Sequence, residues 1–304
     1  MKNLLIATTA LVATAGVAVA DVKVSGYARF GAVYNDGVAA GADEINTASR
    51  LRLQFDATTE TDGGLTLGVR QRFQAEENAA NAGGNQARFF ASAGGLTIAM
   101  GNILGVIEAA PNLYLPTKSA GMGLEGNGFA SLAANTYANG GAFGWTAYNS
   151  SGVGAQDGVE VIYSMNGIGL HAHSTDTSYG LGANYKFADY TVAVAYEEWN
   201  DGPRDGDSIL FASLGGKFGA FDAALSYADT EYGGVTSEKV SLRGGYTVND
   251  ALYVYGFVAD EDTVDTAYGL GASYGLGGGA SVEAGWTSNQ VGDNIVSAGI
   301  FFSF

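Results

Sequence analysis

The chain of 304 residues contains no cysteine, only 3 prolines and, beyond residue 20, no run of eighteen apolar residues. The missing cysteines exclude a fold held by disulfides, so backbone pairing and packing must stabilise it. The short apolar runs exclude a membrane-spanning helix after residue 20. Basic residues are also scarce, because 14 lysines and arginines face 31 acids and leave a net charge of −17. That balance argues against a nucleic-acid partner, which needs a basic face.

The first twenty residues have the pattern of a secretory signal peptide. Lys2 supplies a positive charge, an apolar run begins at Leu4, and small residues at 18–20 form an A-x-A cleavage site before Asp21. We therefore expect a signal peptide at residues 1–20, which is removed, and a single mature domain at residues 21–304.

Glycine and aromatic residues are abundant, with 47 Gly, 17 Tyr and 15 Phe. Disordered low-complexity sequence would lack the aromatics, whereas glycines spread among aromatics and valines suit strands that curve and close. Apolar residues recur at every second position, as in a strand with one apolar and one polar face. The clearest alternating segments are 21–35, 48–58, 65–74, 179–187, 239–247 and 268–274.

The connections between these segments are of two kinds. Short turns are predicted at Asn166-Gly167, Ala188-Asp189 and Asn249-Asp250. Longer, acidic loops are predicted at 36–46, 76–85, 200–207, 230–237, 260–265 and 288–294. Short turns at one rim and long loops at the other are typical of a transmembrane barrel, and a β-sandwich would not segregate them so regularly.

The strand count follows from these segments. Five strands precede residue 102 and eleven follow residue 159, which predicts an all-β, antiparallel, up-and-down transmembrane β-barrel of 16 strands. A possible hairpin at 133–149 leaves 18 strands as the alternative.

The stretch 102–131 does not alternate. It contains Pro111 and Pro116, two carboxylates, Glu108 and Glu125, and many glycines, and it is too long for an ordinary connection. We interpret it as a constriction loop that folds into the barrel and narrows its opening; a disordered surface excursion is the alternative.

Arginines concentrate on the first four predicted strands. Those whose parity points into the lumen are Arg29, Arg50, Arg52, Arg70, Arg72 and Arg88. Like charges on neighbouring strands repel, so we expect acids to face them. Glu108 and Glu125 of the loop are the first candidates, and Asp56, Glu76 and Glu160 are further ones.

Two of the long loops gather carboxylates that suit Ca²⁺, which takes six to eight oxygen ligands. One holds Asp201, Asp205 and Asp207, and the other includes Asp260 and Asp262. Solvated loop charge explains the clusters equally well, because the spacing is not that of a strict calcium motif.

Signals of catalysis or of another metal site are weak, and no cofactor is required. Gly271 to Gly275 fits the G-x-S-x-G nucleophile pattern, but it lies in an alternating strand without a following helix or histidine. His171 and His173 share a strand face, yet no third ligand accompanies them, which favours a solvated pair.

The chain ends in an aromatic residue, Phe304, on a strand whose alternate side chains are apolar. With the segments DVKVSGYARFG (21–31), TASRLRLQFDATTETDGGLTLGVR (47–70) and DTAYGLGASYGLGGGASV (265–282), the mature chain resembles the general porins of α-proteobacteria of the Rhodobacter type. The resemblance covers essentially the whole mature chain and is weakest between residues 102 and 157.

The resemblance implies a general diffusion porin for small hydrophilic solutes and ions, with basic wall residues opposite acidic loop residues. It also implies a homotrimer in the outer membrane of a Gram-negative bacterium. Such a trimer contacts lipid and lipopolysaccharide, and the barrel-assembly machinery acts during insertion. We expect the trimer contact on the outer faces of the first and last strands, with 76–85 reaching across.

Other functions remain open at this point. A substrate-specific channel for a sugar or organic acid would be favoured by 18 strands and by an inward aromatic ladder at Tyr253, Tyr255 and Phe257. A non-conducting surface or adhesive barrel would carry no current across a bilayer. A secreted enzyme is the weakest alternative, because no catalytic constellation is present.

Overall fold

The computed structural model describes residues 20–77, 83–115, 118, 143–150, 157–262 and 264–304, and these residues form an all-β structure. Its strands are β1 (Asp21–Asn35), β2 (Ile45–Glu60), β3 (Thr66–Glu76), β4 (Gly83–Gly84), β5 (Arg88–Ala93), β6 (Leu96–Asn102), β7 (Asp157–Met165), β8 (Ile168–Thr175), β9 (Ser178–Phe187), β10 (Tyr190–Trp199), β11 (Ser208–Phe218), β12 (Phe221–Tyr232), β13 (Val235–Thr247), β14 (Leu252–Glu261), β15 (Ala267–Gly277), β16 (Ala280–Ser288) and β17 (Asn294–Ser303). The described residues contain one short 3-10 turn, Gly202–Arg204. No helix in these ranges is long and apolar enough to cross a membrane.

The sheet closes on itself. Consecutive wall strands pair antiparallel, and β1 also pairs with β17, so the described wall is a ring. β4 and β5 pair in succession with β3, with Gly84 opposite Phe73 and Arg88 opposite Arg70, and together they form one wall strand. The barrel therefore has sixteen strands, as predicted. Residues 143–149 of the alternative hairpin form no strand, and 133–142 lie outside the described residues.

The outer face of the wall is apolar. Leu181 and Leu270, for example, point outward and remain 64% and 66% exposed, while their neighbours along the strands alternate inward. Aromatic rings line the short-turn rim, where Phe187 and Tyr190 flank one turn with ring centroids 5.6 Å apart and Tyr190 meets Phe218 at 5.4 Å. An apolar band edged by aromatic rings is the surface that a lipid bilayer requires of a barrel.

The two rims differ broadly as predicted, with one correction. The predicted loop 230–237 is wrong, because β12 continues to Tyr232 and β13 begins at Val235. The turn between them is Gly233–Gly234, with φ angles of 59° and 78°. Positive φ at both positions is what a tight type I′ hairpin requires, and glycine adopts it without a steric cost.

The last residue completes the seam between β1 and β17. Gly26 N donates to Phe304 O at 2.9 Å, and Phe304 N donates to Gly26 O at 3.0 Å. Glycine is needed here, because an added Cβ would lie 2.4 Å from the carbonyl oxygen of Arg52 and 3.0 Å from the Phe304 ring. The terminal aromatic singled out in the sequence is thus part of the barrel wall.

A dry core lies inside the ring on one side. Residues from 103–115 and 143–147 pack against inward side chains of β10, β11 and β12. The buried members of this cluster are Val106, Ile107, Leu113, Phe143, Trp145, Ala195, Trp199, Ile209, Phe211 and Ala228. The described part of the predicted constriction loop therefore lies against the inner wall, and its remaining residues, apart from Lys118, are outside the described ranges.

Candidate pore constriction

The predicted arginine wall is built on β2 and β3, whose inward side chains form four successive cross-strand pairs. These pairs are Arg50–Glu76, Arg52–Gln74, Gln54–Arg72 and Asp56–Arg70. We call them the four rungs. Each rung joins one arginine to one acceptor, and the arginine changes strand halfway along. No two arginines of these two strands are therefore directly opposed, which limits the repulsion expected from the sequence.

The first two rungs are linked to each other by hydrogen bonds. Arg50 forms an ion pair with Glu76. Gln74 Nε2 donates to Glu76 Oε1 at 3.0 Å, while Gln74 Oε1 accepts from Arg52 Nε at 2.6 Å. Tyr27 contacts both arginines. Its hydroxyl accepts a hydrogen bond from Arg50 Nη1 at 3.3 Å, and its ring centre lies 5.2 Å from the Arg52 guanidinium carbon.

The other two rungs repeat this arrangement in the opposite direction. Arg70 Nε lies 2.6 Å from Asp56 Oδ1 in an ion pair. Gln54 Nε2 donates to Asp56 Oδ2 at 2.7 Å, and Gln54 Oε1 accepts from Arg72 Nε at 2.7 Å. The outer rungs are thus ion pairs, and each inner rung pairs a guanidinium with a neutral amide.

The segment 143–150 reaches the same wall. Arg72 Nη1 donates to Ser150 Oγ at 3.2 Å, and its guanidinium carbon lies 4.6 Å from the centre of the Tyr148 ring. The segment is fixed in place by Asn102, whose Nδ2 donates to Asn149 O at 2.8 Å and whose Oδ1 accepts from Asn149 N at 3.1 Å. Cation–π contact and hydrogen bonds together orient Arg72.

Arg88 and Arg29 flank the rungs. Arg88 lies opposite Arg70, and its Nε is 2.5 Å from Glu160 Oε1, while His171 Nε2 is 3.0 Å from the other oxygen of that carboxylate. Arg29 lies opposite Arg50 and is buried, 6% exposed. Asp56, Glu76 and Glu160, which the sequence offered as further acids, are therefore the carboxylates that meet the wall arginines.

The arginines border one cavity of about 480 Å³. The described residues around it are Tyr27, Arg50, Arg52, Arg70, Arg72, Arg88, Leu104, Glu108, Tyr114, Lys118, Tyr148 and Ser150. Five of the six predicted arginines line it, and Arg29 does not belong to this described lining. Six of the described lining residues are cationic and one is anionic. Arg50, Arg70 and Arg88 are each paired with a carboxylate behind the lining, so the site keeps a smaller net positive charge.

The loop acid Glu108 borders the cavity but is held by groups of its own segment. Its Oε2 accepts from the hydroxyl of Tyr114 and, at 2.8 Å, from Trp145 Nε1. The carboxylate thereby links the segment 103–115 to the segment 143–150. Glu125, the other predicted loop acid, lies outside the described residues.

Residues of β8 and β11 hold the segment 103–115 by polar contacts as well as by the dry core. His173 is 5% exposed, and its Nδ1 accepts from Val106 N at 3.1 Å. The prediction of a solvated histidine pair is therefore wrong, because the segment covers His173 and His171 pairs with Glu160. At the other end, Ser213 Oγ donates to Pro111 O at 2.7 Å.

The inward aromatic residues of β14 are also covered. Tyr255 and Phe257 are buried, 4% and 7% exposed, in a cluster with Leu115. The ring of Tyr253 stacks on that of Tyr255 at 5.3 Å, and its hydroxyl donates to Asp222 Oδ2 at 2.8 Å. They face inward, as the aromatic-ladder hypothesis required, but two of the three lie beneath the segment.

The acidic loops do not gather into a metal site within the described ranges, where no three His, Cys, Asp or Glu side chains come together. Asp207 is buried against Arg204 at 3.0 Å and also accepts from Gly233 N. Asp201 accepts from Gly202 N, and Asp262 accepts from Glu238 N at 3.0 Å. Calcium binding by Asp201, Asp205, Asp207, Asp260 and Asp262 stays a prediction.

The serine of the G-x-S-x-G pattern is part of the wall. Ser273 lies within β15, and its Oγ donates to Glu283 Oε1 at 2.7 Å on the neighbouring strand. No nucleophile elbow surrounds it, since that motif needs a turn between a strand and a helix.

Several residues at the constriction were not predicted from the sequence. Gln54 and Gln74, which hold two of the lining arginines, share the inward parity of those arginines, but only the strand register shows which arginine each one meets. Tyr27 also had the correct parity. Tyr148 and Ser150 belong to a segment without alternation, so no local signal placed them beside Arg72.

The fold and the cavity together define a class of protein. A closed ring of sixteen strands is too wide for side chains to fill, and here it has an apolar outer face and a charged inner one. Such a molecule is a channel-forming β-barrel of a membrane.

Comparison with known proteins agrees with this class. The family model described as Gram-negative porin matches residues 7–294. The porin of Rhodobacter capsulatus is 30% identical over 326 residues, and that of Fuscovulum blasticum is 29% identical over 301 residues; each match covers 93% of this chain and 100% of the relative. The solved structure of a triple mutant of Rhodopseudomonas blastica porin superposes with a TM-score of 0.79 at 28% identity, covering 93% of this chain and 100% of that one. The chain belongs to the Gram-negative porin family.

Proposed function

We propose that this porin is a general diffusion channel in which the rungs and the segments 103–115 and 143–150 form the narrowest part of the path. The observation that carries the proposal is the basic cavity of about 480 Å³ inside a closed sixteen-stranded barrel. Flow through a wide barrel is set by its narrowest ring and by the charges there. Small hydrophilic solutes and ions pass without an energy source.

The cavity also gives a preferred sign of charge. Arginine stays protonated at any physiological pH, so the positive charge of the lining is permanent. Glu108 borders the same cavity from the segment 103–115, and we infer that its negative charge and the arginines together create a field across the opening. We infer that anions and dipolar solutes pass more readily than cations, and apolar solutes less readily than either.

The membrane and assembly are part of the same proposal. The apolar outer band and the family support an outer-membrane location, with lipid and lipopolysaccharide around the barrel and insertion by the barrel-assembly machinery. A homotrimer is supported by the exposed apolar outer faces of β1 and β17, where Phe30 and Val296 are 55% and 43% exposed. The loop 76–85 is the predicted bridge to a neighbouring subunit, although residues 78–82 lie outside the described ranges.

The alternative of a substrate-specific channel has less support. Tyr255 and Phe257 pack beneath Leu115, so they offer no continuous aromatic track to a passing sugar. The alternative of a non-conducting surface barrel makes the opposite prediction about current, and the same experiment decides it.

The test is the reversal potential of the refolded protein in a planar bilayer under a KCl gradient. Replacing Arg50, Arg52, Arg70 and Arg72 by glutamine should lower the chloride-to-potassium permeability ratio severalfold, because the charges that attract anions are removed. The matched control is Arg243→Gln, since Arg243 lies on the far wall in an ion pair with Asp222 at 3.2 Å.

A protein without current would reject the channel itself. A quadruple variant whose reversal potential equals that of the parent would reject the role of the rungs but leave the channel intact. If Arg243→Gln shifts the potential as far as the four substitutions do, the selectivity depends on overall lumen charge rather than on this cavity.

A further inference from the structure

The two inner rungs differ chemically from the two outer ones. In an outer rung the arginine meets a carboxylate, and the pair carries no net charge. In an inner rung the acceptor is the amide of Gln54 or Gln74, which holds the guanidinium without cancelling its charge. An inner rung therefore retains a full positive charge while its arginine is fixed in direction.

Arg72 shows this most clearly. Its hydrogen bonds are to the amide oxygen of Gln54 and the hydroxyl of Ser150, and its ring contact is to Tyr148, all of them neutral groups. The carboxylate of Asp56 attracts it without a direct hydrogen bond among these contacts. A guanidinium has five N–H donors, and two of them are used in the hydrogen bonds to Gln54 and Ser150. The other three N–H donors of Arg72 lie on its two terminal nitrogens, Nη1 and Nη2, and this side chain borders the cavity.

The two inner arginines are close enough to act on one ligand. Arg52 lies opposite Gln74 and Arg72 is two residues before Gln74 on the same strand, so they are diagonal neighbours on one face. Diagonal neighbours of an antiparallel pair are about 7–8 Å apart, which long side chains readily span. Guanidinium groups bind oxyanions through paired hydrogen bonds, with higher affinity for phosphate-like groups than for a spherical ion.

We propose that the inner rungs form a weak, saturable binding site for oxyanions that carry two negative charges, with Gln54 as the residue that makes Arg72 available. The proposal rests on the proposed function, since it assigns a class of solute to the same cavity. The shared chemistry is that of sulfate, hydrogen phosphate or a phosphate monoester. Binding is weak because a passage site must release its solute.

Gln54 is a specificity residue in this proposal for a chemical reason. Its Oε1 orients Arg72, and its Nε2 donates to Asp56, which keeps that carboxylate turned towards Arg70. A glutamate at position 54 would still accept from Arg72 but would neutralise it. A methionine has a similar length and would neither accept nor donate, so it would leave the charge and remove the orientation.

The experiment measures chloride current through single channels while potassium sulfate replaces potassium chloride at constant ionic strength. In the parent protein the chloride current, plotted against sulfate concentration, should fall along a saturating curve. Gln54→Glu should raise the half-saturating sulfate concentration about tenfold or more, because attraction between the ligand and Arg72 is lost. Gln54→Met should raise it less, about threefold, because the charge of Arg72 is kept and only its orientation is lost.

The matched control is Asn249→Asp, which makes the same change of amide to carboxylate in an exposed turn outside the cavity. Asn249 Oδ1 accepts from Ala251 N and Leu252 N at 2.9 Å, and an aspartate can make the same turn. Its sulfate curve should match that of the parent. Inorganic phosphate in place of sulfate should give the same order of variants.

A linear sulfate dependence in a conducting parent protein overturns the binding site but leaves the porin function standing. Equal curves for Gln54→Glu and Asn249→Asp overturn the role of Gln54. Loss of all current in the parent rejects the proposed function instead, so the two failures are distinguishable. The shift in electrophoretic migration between unheated and heated samples verifies that each variant is folded.

Discussion

The inner wall of the barrel has two unlike sides. On β2 and β3 the inward residues are arginines, glutamines and acids that border an open cavity. On β10, β11 and β12 they are largely apolar, such as Trp199, Ile209 and Phe211, and the segment 103–115 covers them. One side is charged and borders the cavity, and the other is packed like the interior of a soluble protein.

This difference shows how a wide barrel obtains a narrow opening at a chosen place. The apolar side binds the segment through burial of surface, which is strong and not directional. The charged side presents little apolar surface, so the segment 103–115 packs against the apolar wall and the opening lies beside the arginines. Residues 148 and 150 reach Arg72 through a cation–π contact and a hydrogen bond rather than through burial of apolar surface. The position of the pore therefore follows from where the wall is apolar.

The largest effect is expected from weakening the packed side. Ile107→Ala removes a completely buried side chain of the segment and should cost about 2–5 kcal/mol of local packing energy. The barrel remains closed, because its strands do not depend on Ile107, but the segment should leave the wall more often. Single-channel records should show added current noise and a higher mean conductance. The control Leu270→Ala removes an outward side chain of similar size and should leave the records unchanged; equal noise in both variants would contradict the role of the packed side.

A smaller effect should separate charge from anchoring at Glu108. Glu108→Gln removes the charge but keeps an oxygen that can accept from Tyr114 and Trp145. Glu108→Ala removes both, and each hydrogen bond to a charged group contributes about 1.5–3 kcal/mol. Both variants should raise the anion preference to a similar extent, whereas only the alanine variant should add current noise. If the glutamine variant is as noisy as the alanine one, the negative charge itself holds the segment.

The smallest effect concerns the contact that joins the two sides. Tyr148→Leu removes the ring beside Arg72, and a cation–π contact at a partly exposed site contributes about 0.5–1 kcal/mol. The half-saturating sulfate concentration should rise about twofold to fivefold, which is the change in affinity that this energy corresponds to. Tyr148→Phe keeps the ring and should behave like the parent. A leucine variant with an unchanged sulfate curve would show that the ring does not orient Arg72.

The wall was largely predictable from the sequence, and the reason is its period of two. Alternation identifies both the strand and the face of each residue, so the inward parity of Arg50, Arg52, Arg70 and Arg72 followed directly. The strand count followed as well. The predicted loop at 230–237 is wrong because polar residues such as Ser237 alternate inward there, and a strand with polar inward residues resembles a loop in composition.

The constriction was less predictable, because its partners depend on register and on long-range contacts. Parity shows that Gln54 faces the lumen but not that it lies opposite Arg72. Glu108 was expected to face the arginines across the lumen, whereas it also ties Tyr114 to Trp145, a residue far along the chain. Polar and apolar residues do not alternate in this segment, so no local sequence pattern predicts such long-range contacts.

The seam between Gly26 and Phe304 affects how the closed barrel forms. Until those two residues meet, the sheet has two free edges with unpaired amides and carbonyls, which invite pairing with other chains. The joining strands lie at opposite ends of the described chain, and loop closure of that length is slow. A newly synthesised chain therefore exposes two edges that can pair with other chains until the hydrogen bonds between Gly26 and Phe304 form.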